Sequence, residues 1–177
     1  MLESIVAISM VVVGLLGIIT LLMRSSHWHK DVSRELVGTY LAAEGIEVVK
    51  HLIDTNITEQ LKTGSGTWND SFTDEFYEVQ HNTSLNDLGS RVISDPSNFA
   101  SLQVLHLEGG RYGYGGVGEV TLFRRFVQIS IPPNESADVD VDADRMFVKS
   151  VVLWGEEDDE QVQLENVFTF WRKPGGN

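Results

Sequence analysis

The first 23 residues, MLESIVAISMVVVGLLGIITLLM, are apolar almost without interruption, with Glu3 as their one ionisable side chain and Arg24 as the first base after them. At a helical rise of about 1.5 Å per residue, Ser4 to Met23 covers about 30 Å, the hydrocarbon thickness of a bilayer, so this stretch is predicted to be a membrane span. A carboxylate inside such a span costs up to about 3 kcal/mol at mid-membrane and asks for a partner. From His27 the pattern turns amphipathic. Val32, Leu36, Tyr40, Leu41, Val48, Val49, Leu52, Ile53, Ile57 and Leu61 recur mostly at three- and four-residue intervals, which predicts one helical stripe. Glu47, Lys50 and Asp54 lie at helical ion-pair spacings on the other side, each pair worth a few tenths of a kcal/mol. The stop signal is Lys62-Thr63-Gly64-Ser65-Gly66, where glycine supplies a left-handed cap. One helix from Met1 to Thr63 would be about 95 Å long, and its apolar half requires lipid or other copies of itself around it.

Beyond the helix, residues 64–100 read as a connecting segment that wraps it. They carry Trp68, Phe72 and Phe76 at intervals of four, a short strand candidate at Tyr77–Gln80 and a Ser/Asn/Asp-rich run to Asp95-Pro96. Alternating β-branched and aromatic residues predict strands at Glu119–Ile131, Met146–Trp154 and Gln161–Arg172, with a weaker one at Leu102–Leu107. The separations of the last three suit antiparallel hairpins. The predicted fold is α+β: a long hydrophobic stem helix carrying an antiparallel β-sheet head, in a lollipop arrangement. Its parts are a span (1–23), an amphipathic helical half (24–63), the connecting region (64–100) and the sheet (101–177).

Leu2-Glu3 followed by SIVAISMVVVGLLGI resembles the start of a mature type IV pilin or pseudopilin. LVGTYLAAEGIEVVKHLIDTN (Leu36 to Asn56) is similar to the second half of the stem helix in the bacterial branch of that family. The strand Val148–Trp154, its acidic turn and the last strand ending in Trp171 are similar to the closing hairpin of minor-pilin-like members. The resemblance implies processing by a prepilin peptidase, N-methylation, residence in the bacterial inner membrane, and assembly by dedicated machinery. The product would be an extracellular helical pilus of identical subunits, serving attachment, twitching motility or DNA uptake. It assigns Glu3 to a pair with the N-terminal amine of a neighbouring subunit, an amine carried here by Met1. Glu3 is third where the family glutamate is usually fifth. The proline that bends many pilin spans is absent, with Thr20 near its place. Gly14 and Gly17 are then the weak points of the span, each costing about 1 kcal/mol relative to Ala. A minor pilin or a type II secretion pseudopilin is the alternative within the family. Outside it, the alternative is a membrane-anchored extracytoplasmic binding domain, which needs neither Glu3 nor an unbroken passage from span to amphipathic helix.

Composition narrows the chemistry. A formal net charge of −13 opposes binding to nucleic acid, so no direct contact with DNA is expected. With no cysteine, the fold relies on packing without disulfides. A secretory signal peptide is a poor reading of the N-terminus, which lacks a basic n-region and an A-x-A site. Arg24, Lys30 and Arg34 after the span would by the positive-inside rule place the following residues in the cytoplasm; the family resemblance places them outside.

The motifs add little. Gly113 to Gly118 spells G-x-G-x-x-G, but the following ValThrLeuPheArgArgPhe is a strand pattern, whereas a dinucleotide site needs a helix there. Asp138, Asp140, Asp142 and Asp144 alternate like the start of a calcium loop; the sixth and twelfth places are Ala143 and Lys149, which rules out an EF-hand and leaves a less regular calcium site against a solvated acidic loop. The second acidic run, Glu156 to Glu160, would lie about 30 Å from it across a strand. His27, His29, His51, His81 and His106 show no ligand spacing, and no nucleophile–base set is evident, so neither a metal centre nor enzymatic activity is predicted. Arg124-Arg125 reads as one or both side chains exposed and paired with local acids. Asn56, Asn82 and Asn134 each begin an Asn-x-Ser/Thr triplet.

Overall fold

The computed structural model describes residues 2–116, 118–132, 145–155 and 160–169. Helix α1 runs Leu2–Thr63 and ends where expected, with Gly64 in the left-handed region (φ 70°) and its N–H donating to the Gln60 carbonyl at 2.9 Å. The strands are β1 (Phe76–Tyr77), β2 (Val92–Ile93), β3 (Val104–Glu108), β4 (Arg111–Gly113), β5 (Glu119–Ser130), β6 (Arg145–Trp154) and β7 (Glu160–Thr169), with a short helix α2 at Leu85–Leu88. Among the described residues they form one seven-stranded antiparallel sheet. An α+β fold with a long apolar N-terminal helix is therefore present.

The chain divides into two compact units, Met1–Val37 and Gly38–Asn177. In the first, the helix is bare. Leu2, Ile5, Ile8, Met10, Val13, Leu16, Ile18, Leu21 and Met23 are all more than half exposed, as are Trp28, Val32 and Leu36. The hydroxyls of Ser9 and Thr20 donate back to the Val6 and Leu16 carbonyls, both at 2.8 Å, so this stretch presents few unsatisfied polar groups to an apolar surrounding.

The second unit holds the core. β5, β6 and β7 form the expected meander, with Phe126 opposite Val151 and Val151 opposite Gln163. β5 is the central strand: β6 takes one edge, while β3 and β1 share the other. Phe123, Val127 and Ile129 of β5 and Met146, Val148 and Val152 of β6 are buried on the helix side, where Val127, Ile129, Met146 and Val148 pack with Val48, Val49, Leu52 and Ile53 of α1. Burying each such side chain is worth about 1.5–3 kcal/mol. The other sheet face is covered by Ile93, Leu102 and Phe99, which pack on Val151, Leu153, Phe76 and Phe126. The 64–100 segment does pack on the helix. Trp68 and Phe72 join its core, and the buried Asn56 amide donates to the carbonyls of Trp68 (3.2 Å) and Asp70 (2.7 Å). That burial excludes Asn56 as a glycan acceptor in the folded state.

The amphipathic stripe is narrower than its sequence pattern. Leu41, Val48, Val49, Leu52 and Ile53 are buried, but Tyr40 and Leu61 are 70% and 64% exposed. Two glycines explain how closely the helix approaches the sheet. A Cβ on Gly38 would stand 2.7 Å from the Trp154 ring, and one on Gly45 would strike the Ser150 hydroxyl. Lys50 pairs with Glu47 at 3.3 Å, not with Asp54.

Candidate functional site

The first candidate is the exposed face of α1. Glu3 lies in the first helical turn, where its charge complements the positive end of the helix dipole, and it is exposed without a side-chain partner among the described residues. Gly14 and Gly17 have nothing within 4 Å of where a Cβ would be, so they leave two open notches on an otherwise branched apolar surface. α1 is the one helix among the described residues long and apolar enough to cross a membrane, and none of its most apolar stretch is buried. A continuous apolar surface of this extent marks contact with lipid or protein. Met1 lies outside the described residues, as do Asp138, Asp140, Asp142 and Asp144 and the acids at 156–159. Among the described residues, no group of three or more His, Cys, Asp or Glu could hold a metal ion.

The second candidate is a constellation in the sheet unit that sequence reading missed. Arg125 is not exposed, and its acid is not local. Its side chain is fully buried, donating to the Leu41 carbonyl (2.9 Å), to Glu44 Oε2 (3.0 Å) and to the Val79 carbonyl (2.6 Å). It thus bolts β5 to the α1 backbone, to a helix acid and to the residues after β1. The phase of the strand carries it inward: Arg125 alternates with Phe123, Val127 and Ile129, all buried, while the acceptors that make burial of a guanidinium possible lie far away in the chain. Arg124 faces the other way, half-buried, donating to the Leu102 carbonyl with its guanidinium 4.4 Å from the Phe99 ring centre. Nearby, burial raises the Glu78 carboxyl above its ordinary value, opposed by the Gln103 N–H (2.7 Å) and by the charges of Arg91 and Arg124. Burial likewise pushes the Tyr114 phenol up; its hydroxyl donates to the Arg125 carbonyl at 2.7 Å.

The third feature is a polar cleft of about 350 Å³ in the same unit, walled by Gln80, His81 and Asn82 and floored by the β3–β4 hairpin. Gly109 and Gly110 (φ 57° and 81°) make the two-residue turn that sets Glu108 directly opposite Arg111. Gln80 ties wall to floor, since its Oε1 accepts the Tyr114 N–H at 2.7 Å. Its own N–H donates to Thr83 Oγ1 at 2.9 Å, closing the turn that carries His81 and Asn82. His81 and His106 meet here although 25 positions separate them in the chain, which no spacing rule reveals. The G-x-G-x-x-G stretch enters β5 with no helix after it, and Gly118 is required because a Cβ would lie 2.6 Å from the Leu107 carbonyl oxygen.

No family model, no curated protein and no solved structure matches this chain.

Proposed function

We propose that this chain is the structural subunit of a type IV pilus-like filament, held in a bacterial inner membrane by residues 2–23 before assembly and buried among the same residues of other copies afterwards. The observation that carries the reading is the helix Leu2–Thr63, whose first stretch is bare, apolar and marked by one carboxylate, while the stretch after Gly38 is packed beneath a sheet. Hydrophobic burial separates the two states weakly, because lipid is as apolar as a filament core. Register then falls to specific packing at Gly14 and Gly17 and to a pair between Glu3 and the amine of a neighbouring subunit. Extraction from lipid requires an assembly motor.

Glu3→Ala should leave the protein in the membrane fraction and abolish filaments; normal filaments from that variant would refute the role of Glu3. A second reading, a membrane-anchored extracytoplasmic binding domain, is favoured by the polar cleft, which assembly does not use. Under that reading Glu3→Ala changes nothing.

A further inference from the structure

We infer that the cleft between the Gln80–Thr83 turn and the β3–β4 hairpin is a binding site for a small zwitterion of the polar α-amino acid class, with Arg111 holding the carboxylate and Glu108 the ammonium. Glu108 and Arg111 are exposed cross-strand partners fixed by the Gly109-Gly110 turn, yet they pair neither with each other nor with any other described residue. His81 and Asn82 on the facing wall likewise have no side-chain partner. Among the described residues, His106 Nδ1 is buried without a hydrogen-bond partner, an arrangement that ordinarily costs stability unless something enters to satisfy it.

The charges decide the ligand class. A simple anion entering the cleft would meet Glu108, and a simple cation would meet Arg111; a ligand carrying both signs on one small frame satisfies both. The planar guanidinium suits a carboxylate through two parallel hydrogen bonds. The amide of Asn82 and the imidazole of His81 then face the ligand's side chain, which favours a polar one. The volume suits a small ligand, at the lower end of the range for small-molecule pockets. The site is also built: Gly113 is bare where a Cβ would stand 3.0 Å from Gln80 Oε1, so a larger residue there would push the wall from the floor.

The test is saturation-transfer NMR on the full chain in detergent micelles, titrating each of the twenty L-amino acids, with propionate and propylamine as single-charge probes. Saturable, mutually competitive binding of one or more amino acids is expected, with both single-charge probes at least tenfold weaker. Arg111→Gln and Glu108→Gln should each weaken it at least tenfold while leaving the melting temperature unchanged, since both side chains are exposed. No saturable signal from any amino acid, equal binding of propionate, or affinity unaltered in both variants would overturn the site. The measurement needs no filament and is independent of the assembly reading.

Discussion

Residues 2–23 and 41–53 belong to the same helix and both are rich in Val, Ile and Leu, but only the second set is covered by its own chain. Helix propensity and apolar content are therefore not what separates them. The difference is the partner each sequence provides. The packed stretch interrupts its apolar residues with Glu44, Glu47 and Lys50, has Gly38 just before it and Gly45 within it where the sheet comes closest, and receives Arg125 from β5. The bare stretch has branched side chains on every face, two glycines facing open space and one carboxylate. The first is written for an intramolecular sheet, the second for a uniformly apolar surrounding supplied from outside.

Substitutions can break that contrast from either side. The largest effect is expected at Arg125: Arg125→Leu strands Glu44 and the Leu41 and Val79 carbonyls, and should destabilise the sheet unit by about 3–5 kcal/mol, read as a fall of about 10 °C or more in melting temperature. Membrane retention of that variant should be normal wherever the protein survives proteolysis. In the bare stretch, Val13→Asp should weaken insertion by about 2.5–3.5 kcal/mol, seen as release into the soluble fraction on carbonate extraction. The melting of the sheet unit should not move.

Glycine gives the sharpest form of the comparison, because one substitution should act with opposite signs. Gly45→Ala pushes a methyl into the Ser150 hydroxyl and should cost about 1–3 kcal/mol in a denaturant midpoint series. Gly14→Ala and Gly17→Ala meet nothing and should strengthen the helix by up to about 1 kcal/mol each, measurable as helicity of the span in micelles. A destabilising result at Gly14 or a neutral one at Gly45 would break the distinction.

The smallest effect is electrostatic and confined to the sheet unit. Burial raises the Glu78 carboxyl, so the folded state holds its proton more tightly than the unfolded chain, whose value is near 4.5. The stabilising contribution of the protonated form is complete below that value and is lost as pH rises through the raised one. Urea midpoints should therefore fall across that interval, and Glu78→Gln should flatten the decline. An unaltered pH profile in the variant would remove Glu78 from the account.

Much of this was legible in the sequence. An apolar run with one charge reads the same way whatever surrounds it, and the glycine stop at Gly64 and the alternation of β5, β6 and β7 are strong local signals. β2 and β4 are two and three residues long, too short to show a period. Arg125 was hidden by its charge: a buried guanidinium is expected only once its acceptors are known, and Leu41, Glu44 and Val79 lie 46 or more positions away. The exposure of Tyr40 was illegible because three- and four-residue spacing cannot tell which edge of a stripe the sheet will cover. The cleft was illegible for a similar reason; the one local signal that could have pointed to it, missed in sequence reading, is the Gly109-Gly110 pair, a two-residue hairpin turn between Glu108 and Arg111.

On the proposed function, the bare stretch of α1 is an assembly surface. Cryo-electron microscopy of material sheared from the producing cells tests it most directly, with mass spectrometry of the subunit N-terminus on the same sample. The expected result is a helical filament built of this chain, with residues 2–23 packed together at its axis and Glu3 beside a neighbour's amine. Absence of the chain from sheared material, with the protein retained in the membrane as a monomer, would contradict it.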